Sequence, residues 1–304
     1  MKTSAIIRIV IWSLVACLLI SILCIGLAGG FEGFSIGIGT SYSYKDADRY
    51  DIGNGQTDGS AIHTIEVNWV SGKVQVESGD GSDIRWEETT KRTLKDSQRV
   101  HYLVENGVLK LQFRDSSWFH FGGSPAKELK VTVPADVNLK VLNISSVSGE
   151  IGVDGVSVPV TKLDSVSGNM AVRNLQGDTL DLDTVSGGLA ASGLVVGTVD
   201  AESVSGSLEL SGEIHNWDWD TVSGSANVTS TVCPQTIDTD SVSGDVTLTL
   251  PENDGFTAEY DGTSGDLRSD FPTTGRKDTY IYKNGGAAFS FESVSGDVKI
   301  LKAG

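Results

Sequence analysis

The stretch Leu180-Asp181-Leu182-Asp183-Thr184-Val185-Ser186-Gly187-Gly188-Leu189 holds the pattern that decides the fold. Apolar and polar residues alternate before the Val-Ser-Gly triplet and again after it, with the period of two that is typical of strands. A fixed period of such triplets predicts a repeat architecture, in which the units bury their apolar faces by stacking. The triplet, or its Thr-Ser-Gly variant, recurs at spacings of 19, 19, 19, 18, 20 and 21 residues and returns after a longer gap, with its glycines at Gly149, Gly168, Gly187, Gly206, Gly224, Gly244, Gly265 and Gly296.

Alignment on the triplet glycine separates inward from outward positions. The residues seven and five before the glycine and two and four after it are mostly apolar, as in Leu180, Leu182, Leu189 and Ala191. We expect these side chains to fill the interior, and the Ser-Gly pair to form a corner, because glycine tolerates the backbone angles of a tight bend. The sequence thus predicts an all-β fold, a single-stranded parallel β-solenoid (β-helix) with rungs of about 19 residues. General crossover preferences favour a right-handed turn, and rungs about 4.8 Å apart would make a rod of roughly 35 Å.

An apolar segment precedes the repeats. Residues 9–28 carry no charge and are long enough to cross a bilayer as a helix, while Lys2 and Arg8 before them favour a cytoplasmic N-terminus. A cleaved signal peptide is the alternative, although its apolar core is normally shorter and ends at a small-residue site. We expect a cytoplasmic N-terminus at 1–8, a transmembrane signal anchor at 9–28, a flexible juxtamembrane linker at 29–60, an irregular N-terminal solenoid part at 61–145 and the regular Val-Ser-Gly array at 146–304.

The chain is strongly acidic. Its 40 acidic and 23 basic residues give a formal net charge of −17, which disfavours nucleic acid and anionic lipid and favours cations and basic proteins as partners. Cys17 and Cys24 lie in the apolar segment, so Cys233 has no partner for an internal disulfide in the remainder. An exported, disulfide-free domain on one anchor suits a Gram-positive bacterial envelope. We therefore expect a single-pass cell-membrane protein whose C-terminal domain is extracytoplasmic.

Further motifs carry a family resemblance. Val70-Ser71-Gly72-Lys73-Val74-Gln75-Val76 is a complete early repeat, and Lys130-Val131-Thr132-Val133-Pro134 is an alternating strand ended by proline. With the apolar segment before them and repeats such as Leu163-Asp164-Ser165-Val166-Ser167-Gly168 after them, they resemble the bacterial putative-adhesin repeat family of unknown function, which includes LiaG-like envelope proteins. The resemblance covers roughly residues 60–304. It implies a β-solenoid ectodomain, an association of LiaG-like members with envelope-stress systems, and no catalytic residues.

Carboxylates recur at the outward positions four and six residues before the triplet glycines. Like charges opposite one another destabilise a sheet unless water, side-chain splay, raised pKa values or cations relieve them. Because Ca²⁺ and Mg²⁺ take oxygen ligands, we expect weak, delocalised binding of these ions, without a specific metal site and without another cofactor. The alternative is a solvated face that prevents aggregation. The residues are Asp164, Asp181, Asp183, Asp200, Glu202, Asp218, Asp220, Asp238, Asp240, Glu259, Asp261 and Glu292.

Two other clusters are candidates for binding. Basic and aromatic residues meet in the insertion that breaks the period, where residues 280–285 are predicted to form a hairpin arm. This binding arm could hold an anionic partner or pair with the chain's own acids, and its residues are Arg268, Arg276, Lys277, Tyr280, Tyr282 and Lys283. An aromatic loop, Trp118, Phe119 and Phe121, could stack on sugar rings, touch a membrane interface or cap one end of the stack.

Catalytic signals are weak. The four histidines, His63, His101, His120 and His215, lack metal-ligand spacing, and the Gly-x-Ser-x-Gly match at 33–37 has no strand-turn-helix context. We therefore predict a non-enzymatic, membrane-anchored, adhesin-like binding or scaffold protein of the bacterial cell envelope, with an envelope protein or cell-wall polymer as partner. The alternatives are a regulatory or sensory ectodomain of an envelope-stress system and, third, a polysaccharide-active β-helix enzyme.

Overall fold

The structure, a computed structural model, describes residues 34–36, 42–116 and 126–304. In these residues the chain forms strands and three single turns of 3-10 helix, at Ala47–Arg49, Gly59–Ala61 and Asp96–Gln98, and no α-helix. The predicted all-β fold is confirmed. The predicted membrane segment 9–28 lies outside the described residues, and none of the helical turns within them is long and apolar enough to span a membrane.

The strands follow one another closely along the chain. The first nine are β1 (Phe34–Ile36), β2 (Tyr42–Tyr44), β3 (Asp51–Ile52), β4 (Gly55–Asp58), β5 (Thr64–Gly79), β6 (Asp83–Thr89), β7 (His101–Glu105), β8 (Val108–Gln112) and β9 (Lys127–Pro134). The next seven are β10 (Val141–Asp154), β11 (Val160–Ser165), β12 (Met170–Arg173), β13 (Gln176–Thr184), β14 (Leu189–Ser203), β15 (Leu208–Ser223) and β16 (Ala226–Ser230). The last seven are β17 (Thr236–Ser243), β18 (Val246–Leu250), β19 (Gly255–Ser264), β20 (Leu267–Ser269), β21 (Thr279–Lys283), β22 (Ala287–Ser295) and β23 (Val298–Lys302).

Equivalent residues of successive repeats pair side by side in parallel. Leu163 lies opposite Leu182, Leu182 opposite Ala201, and Ala201 opposite Trp219. Each repeat therefore adds one rung, and the period read from the sequence is the stacking repeat of the structure. All the strands except β1 and β2, which pair only with each other, belong to one 21-stranded sheet.

The pairing also contains a closed ring, which differs from the simple solenoid that the period predicts. β10 pairs with β11 and β12, β11 pairs with β13, and β13 and β12 both pair with β14, so five strands form a closed circuit. The ring closes because β10 and β14 each run unbroken through a bend, whereas β11, β12 and β13 between them are separate strands. The repeat fold is confirmed, but these strands form a closed five-stranded barrel, so the predicted single-stranded parallel β-solenoid is wrong in this respect.

The order of rungs in space differs from their order in the chain. The last two strands, β22 and β23, lie between β17 and β18 on one side and β19 and β20 on the other. At the opposite end, β5 lies between β10 and the later strands β8 and β9. Both ends of the described repeat region are thus inserted into the stack and do not form its outermost rungs.

Antiparallel strands cover the two ends. β3, β7 and β8 form one antiparallel set, β4, β6 and β9 another, and β21 lies antiparallel to β19. A hairpin turn at Asn106-Gly107 joins β7 to β8, with φ values of 51° and 77° in the left-handed region that this turn requires. The predicted arm at 280–285 is the edge strand β21, which pairs with β19.

The apolar positions of each repeat fill the interior as predicted. Leu180, Leu182 and Leu189 are buried, and so are Trp217 and Trp219, at 2% and 0% exposure. At the N-terminal end, Lys127 is buried as well, and its Nζ lies 2.5 Å from Oε1 of the buried Glu88. The same Nζ lies 4.1 Å from the ring centre of Phe113. This charged pair inside the core was not predicted.

The corner glycines are required by close packing between rungs. A Cβ built on Gly187 would lie within 3.0 Å of the carbonyl oxygen of Gly168, and one on Gly168 would meet the carbonyl of Gly149 in the same way. None of these three glycines has a left-handed φ. The expectation that the corner needs glycine for its backbone angles is therefore wrong for these rungs, where the reason is the space between backbones. The buried Ser165 supports the corner, because its Oγ accepts a hydrogen bond from Gly168 N at 2.8 Å.

Candidate functional site

The outward acids form two columns that run along the stack. We call the acids four residues before the glycines the inner column, and those six before them the outer column. Since the strands pair in register, neighbouring carboxylates of one column lie about 4.8 Å apart along the stack, and the two columns about 7 Å apart along a strand. In spatial order the inner column is Asp164, Asp183, Glu202, Asp220, Asp240, Glu292 and Asp261.

The outer column is shorter and more broken. Asp181, Asp200, Asp218 and Asp238 are in register on four successive rungs. Ser290 then interrupts the column, because the inserted β22 separates Asp238 from Glu259. The structure thus brings together the twelve predicted acids in two columns, in an order that the chain sequence does not give.

One cation and one hydroxyl lie at the N-terminal end of the columns. Lys162 is in register with Asp181, and its Nζ lies 2.8 Å from Oδ2 of that residue. Ser145 occupies the inner-column position before Asp164 and donates a hydrogen bond to its Oδ2 at 3.3 Å. Towards the other end of the columns, the carboxylates have only one another as charged neighbours in register.

The two columns differ in burial. Asp200, Asp218 and Asp238 of the outer column are exposed, as predicted, whereas the inner-column acids from Asp164 to Glu292 are half-buried. The triplet valines, such as Val166 and Val185, are also half-buried and lie two residues along the same outward face. This face therefore combines an acidic strip with an apolar one.

Burial raises the pKa of several column carboxyls, and neighbouring acids raise it further. Burial followed by the charge of Asp181 raises the pKa of Asp183 to about 8. Burial followed by Asp218 raises the pKa of Asp220 to about 7. Asp164 and Asp240 reach pKa values of about 6 for the same leading reason. Near neutral pH, the inner column therefore relieves part of its repulsion by holding protons.

The columns do not contain a preformed metal centre. No three acidic, histidine or cysteine side chains in the described residues are grouped so that they could hold a metal ion. The parallel register explains this, since it spreads the carboxylates along a line and does not direct them at one point. Any cation at this face would be shared among successive rungs.

A third acidic column was missed in the sequence. Asp245, Asp297 and Asp266 each follow a triplet glycine directly, and the backbone N–H of Asp297 donates to Oδ1 of Asp245 at 2.9 Å. The N–H of Asp266 donates in turn to Oδ1 of Asp297 at 3.1 Å. The acid after the glycine is visible in the sequence, but the adjacency depends on the inserted strand β23.

The residues of the predicted binding arm are dispersed. Lys283 Nζ lies 2.5 Å from Oε1 of Glu252, which also accepts a hydrogen bond from the buried Tyr282. Lys302 binds the other oxygen of Glu252 at 2.5 Å, and these contacts, Lys283 first, lower the pKa of Glu252 to about 2. The arm is thus held by an acid of its own chain, although Glu252 belongs to neither column.

The remaining residues of the predicted binding arm lie apart from the contacts around Glu252. Arg268 is on β20, 3.8 Å from Asp266, and Tyr280 packs partly buried against the core. Arg276 and Lys277 lie exposed on the turn before β21. The aromatic loop Trp118, Phe119 and Phe121 lies outside the described residues.

Comparison with known proteins places the chain in a family. The family model described as Toastrack DUF4097 matches residues 62–301, which include all the repeats. No curated protein matches the chain.

Solved structures show weaker likenesses. A "putative lipid binding protein" from Parabacteroides distasonis is 15% identical, with 83% of this chain and 96% of that one covered and a TM-score of 0.49. A "putative adhesin" from Bacteroides fragilis is 12% identical over 83% and 97% of the two chains, with a TM-score of 0.42. Another "putative adhesin", from Parabacteroides merdae, is 13% identical over 84% and 97%, with a TM-score of 0.36.

Proposed function

Since the chain belongs to the Toastrack DUF4097 family, we propose that it is a non-enzymatic binding or scaffold protein of the bacterial cell envelope, anchored in the membrane by residues 9–28. The observation that carries the proposal is the face formed by the two carboxylate columns and the triplet valines. A repeated, in-register surface of this kind offers many equivalent contacts along its length. It suits a long or repetitive partner better than a small substrate.

The chemistry of the face indicates which groups a partner should present. Acidic strips next to half-buried valines complement a partner that presents basic and apolar groups together, and the charge of −17 attracts such a partner from a distance. We propose an envelope protein, or a wall polymer that carries amino groups, as this partner. Contacts between exposed charges at such a face act chiefly on the association rate, and they weaken as the ionic strength rises.

The arrangement of the acids supports binding over glycan cleavage. Glycosidases place two carboxyl groups on either side of one bond, about 5 to 9.5 Å apart, at one site. Here the carboxylate pair recurs on four successive rungs of an open face, from Asp181 with Asp183 to Asp238 with Asp240. We therefore propose no catalytic residue.

A retention assay on purified cell-envelope material tests the proposal. The full chain is compared with a variant in which Asp200, Asp218 and Asp238 are changed to Asn. These side chains are exposed, so the variant should fold. We expect its retention to fall about tenfold at low salt. Asp48→Asn, Asp80→Asn and Asp136→Asn together form a control with the same change of charge away from the columns. Equal retention of both variants would contradict the proposal that the face with the carboxylate columns binds the partner.

We further propose that the columns bind Ca²⁺ or Mg²⁺ weakly and without a fixed site. Carboxylate oxygens are the ligands these ions prefer, and the outer column presents four of them on successive exposed or half-exposed rungs. A thermal melt at pH 8 with and without millimolar Ca²⁺ tests this, with the triple Asn variant as control. An equal rise of the melting temperature in both proteins would show that the ion acts elsewhere.

A further inference from the structure

A groove at the N-terminal end of the stack has the opposite charge to the rest of the molecule. It is lined by residues 72–73 at the corner of β5, 89–92 at the end of β6 and beyond, and 126–128 at the start of β9. We call this the basic groove. It lies at the end where the described chain enters the stack, because β3 and β4 pair there with β7 and β6.

The charge of the basic groove comes from Lys73, Lys91 and Arg92. In the described part of the chain, none of the three forms an ion pair with a carboxylate. Glu128 is the acid in the lining that faces solvent, and Lys73 lies in register between Glu128 and the exposed Glu150. A chain with 40 acids and 23 bases thus concentrates three unpaired cations around one opening.

The walls of the groove are fixed by the backbone. Gly72 has a φ of 103°, and a Cβ there would collide with the carbonyl oxygen of Lys127, so the corner lies directly on the start of β9. Lys127 directs its ammonium into the core, where Glu88 neutralises it. The charge that faces the groove therefore belongs to the three outward cations and not to Lys127.

The turn that carries two of the cations also offers hydroxyl groups. Thr89 and Thr90 line the groove, and the Oγ1 of Thr90 accepts a hydrogen bond from Arg92 N at 3.4 Å. Guanidinium, ammonium and hydroxyl donors together are the groups that bind phosphate in proteins. The groove therefore fits a phosphate-bearing ligand, although the overall charge of the molecule disfavours anions.

We propose that the basic groove binds the phosphate groups of anionic phospholipids at the surface of the membrane in which the chain is anchored. This inference rests on the anchoring part of the proposed function. Five residues separate position 28 from β1, which pairs with β2 at 42–44, and a fully extended chain of that length spans about 17 Å. The N-terminal end of the stack is thus held within reach of the headgroups. Contact there orients the acidic columns away from the membrane, which repels them.

Hydrogen exchange of the full chain in lipid nanodiscs tests the proposal. We expect the amides of residues 89–92 to be protected in discs that contain phosphatidylglycerol and not in discs of phosphatidylcholine alone. The double variant Lys91→Gln, Arg92→Gln removes two exposed cations without breaking a contact of the fold. Each basic group near an anionic surface contributes about fivefold in affinity, so the variant should need tenfold or more phosphatidylglycerol for the same protection.

The matched control is Arg173→Gln with Lys299→Gln, which removes two exposed cations outside the basic groove. It should behave as the unaltered chain. Protection that does not depend on phosphatidylglycerol, or that both double variants lose equally, would overturn the proposal. Protection in phosphatidylcholine discs on addition of soluble poly(glycerol phosphate), with none from phosphatidylglycerol, would assign the groove to a free polymer and also overturn it.

Incorporation into the discs separates this inference from the proposed function. If the full chain is not incorporated, the anchoring proposal fails. The same variants are then compared by co-sedimentation with vesicles of the two lipid compositions, which tests the groove alone. A preference for phosphatidylglycerol vesicles that Lys91→Gln, Arg92→Gln abolishes would support it, and equal sedimentation in both compositions would overturn it.

Discussion

At the scale of single residues, the corner glycines show how the distance between backbones selects an amino acid. Gly187 and Gly188 are adjacent, yet they differ in surroundings. A Cβ on Gly187 would collide with the carbonyl oxygen of Gly168, whereas the nearest atom to a Cβ on Gly188 is Oδ1 of Asn169, at an ordinary 3.6 Å. We expect Gly187→Ala to lower the free energy of unfolding by about 2 to 4 kcal/mol, and Gly188→Ala to change it by less than about 1 kcal/mol. Urea denaturation of both variants measures this, and equal losses would contradict the steric explanation.

The inner column makes the stability depend on pH. Because the pKa of Asp183 rises from its ordinary value of 3.8 to about 8 in the folded state, the folded protein binds more protons than the unfolded chain between these values. Stability should therefore decrease as the pH rises from about 4 to about 8.

Asp183→Asn tests the contribution of this residue. The amide has no charge to bury, so the variant should be more stable than the unaltered chain at pH 8, by about 1 to 2 kcal/mol, and should lose this advantage near pH 4. Thermal melts across this range give the answer. Asp238→Asn, in the exposed outer column, is the control and should show a smaller difference. A stability gain for Asp183→Asn that is the same at both pH values would refute the explanation.

At the scale of strands, the pair formed by Lys127 and Glu88 links β9 to β6 inside the core. Removal of one partner leaves a buried charge uncompensated, which typically costs 3 to 5 kcal/mol. We expect Glu88→Leu and Lys127→Met each to lose about this much. The double variant Glu88→Leu, Lys127→Met should lose clearly less than the sum of the single changes. Chemical denaturation of the three variants gives the coupling energy, and simple additivity would mean that the two groups do not act as a pair.

Parts of the fold and of the candidate site could be predicted from the sequence and other parts could not, for physical reasons. Lys127, Leu129 and Val131 alternate on one face of a strand, so the inward position of Lys127 was available from the pattern, while its partner Glu88 was not. The register of Leu163, Leu182 and Ala201 follows from the period. The place of β22 does not, because the repeats are chemically alike and any of them could pair with β17. The alternation predicts that Asp183 faces outward, but it does not show that this side chain is half-buried there.

The insertion of β22 predicts an outcome for truncation. Removal of residues 287–304 takes away an internal rung and leaves β17 and β19 without the strand between them. We expect this truncated chain to lose cooperative unfolding and near-ultraviolet circular dichroism. Removal of Ala303 and Gly304 alone, which follow β23, should have little effect. A cooperative melt of the shorter chain at its original temperature would mean that the internal rung is dispensable.

At the scale of the whole molecule, the columns make the stack repel itself along its length. Salt screens charges that are exposed to solvent, with a Debye length of about 30 Å at 0.01 M and about 10 Å at 0.1 M. We therefore expect the melting temperature at pH 8 to rise by several degrees between these two concentrations of sodium chloride. The Asp200, Asp218 and Asp238 triple Asn variant should respond less. An equal response of both proteins would place the repulsion outside the columns.

The interleaved order of the rungs has a consequence in time. A ribosome delivers the chain from its N-terminus, so β19 and β20 emerge before β22 and β23. These later strands must lie between β19 and β20 on one side and β17 and β18 on the other. A nascent chain therefore cannot build the stack by adding its rungs one by one in the order of synthesis. The place for β22 and β23 must be left open, or be reopened, until residues 287–302 have been released. Completion of the repeat stack therefore waits for the synthesis of these residues, and a chain interrupted before them retains an unfilled gap between two of its rungs.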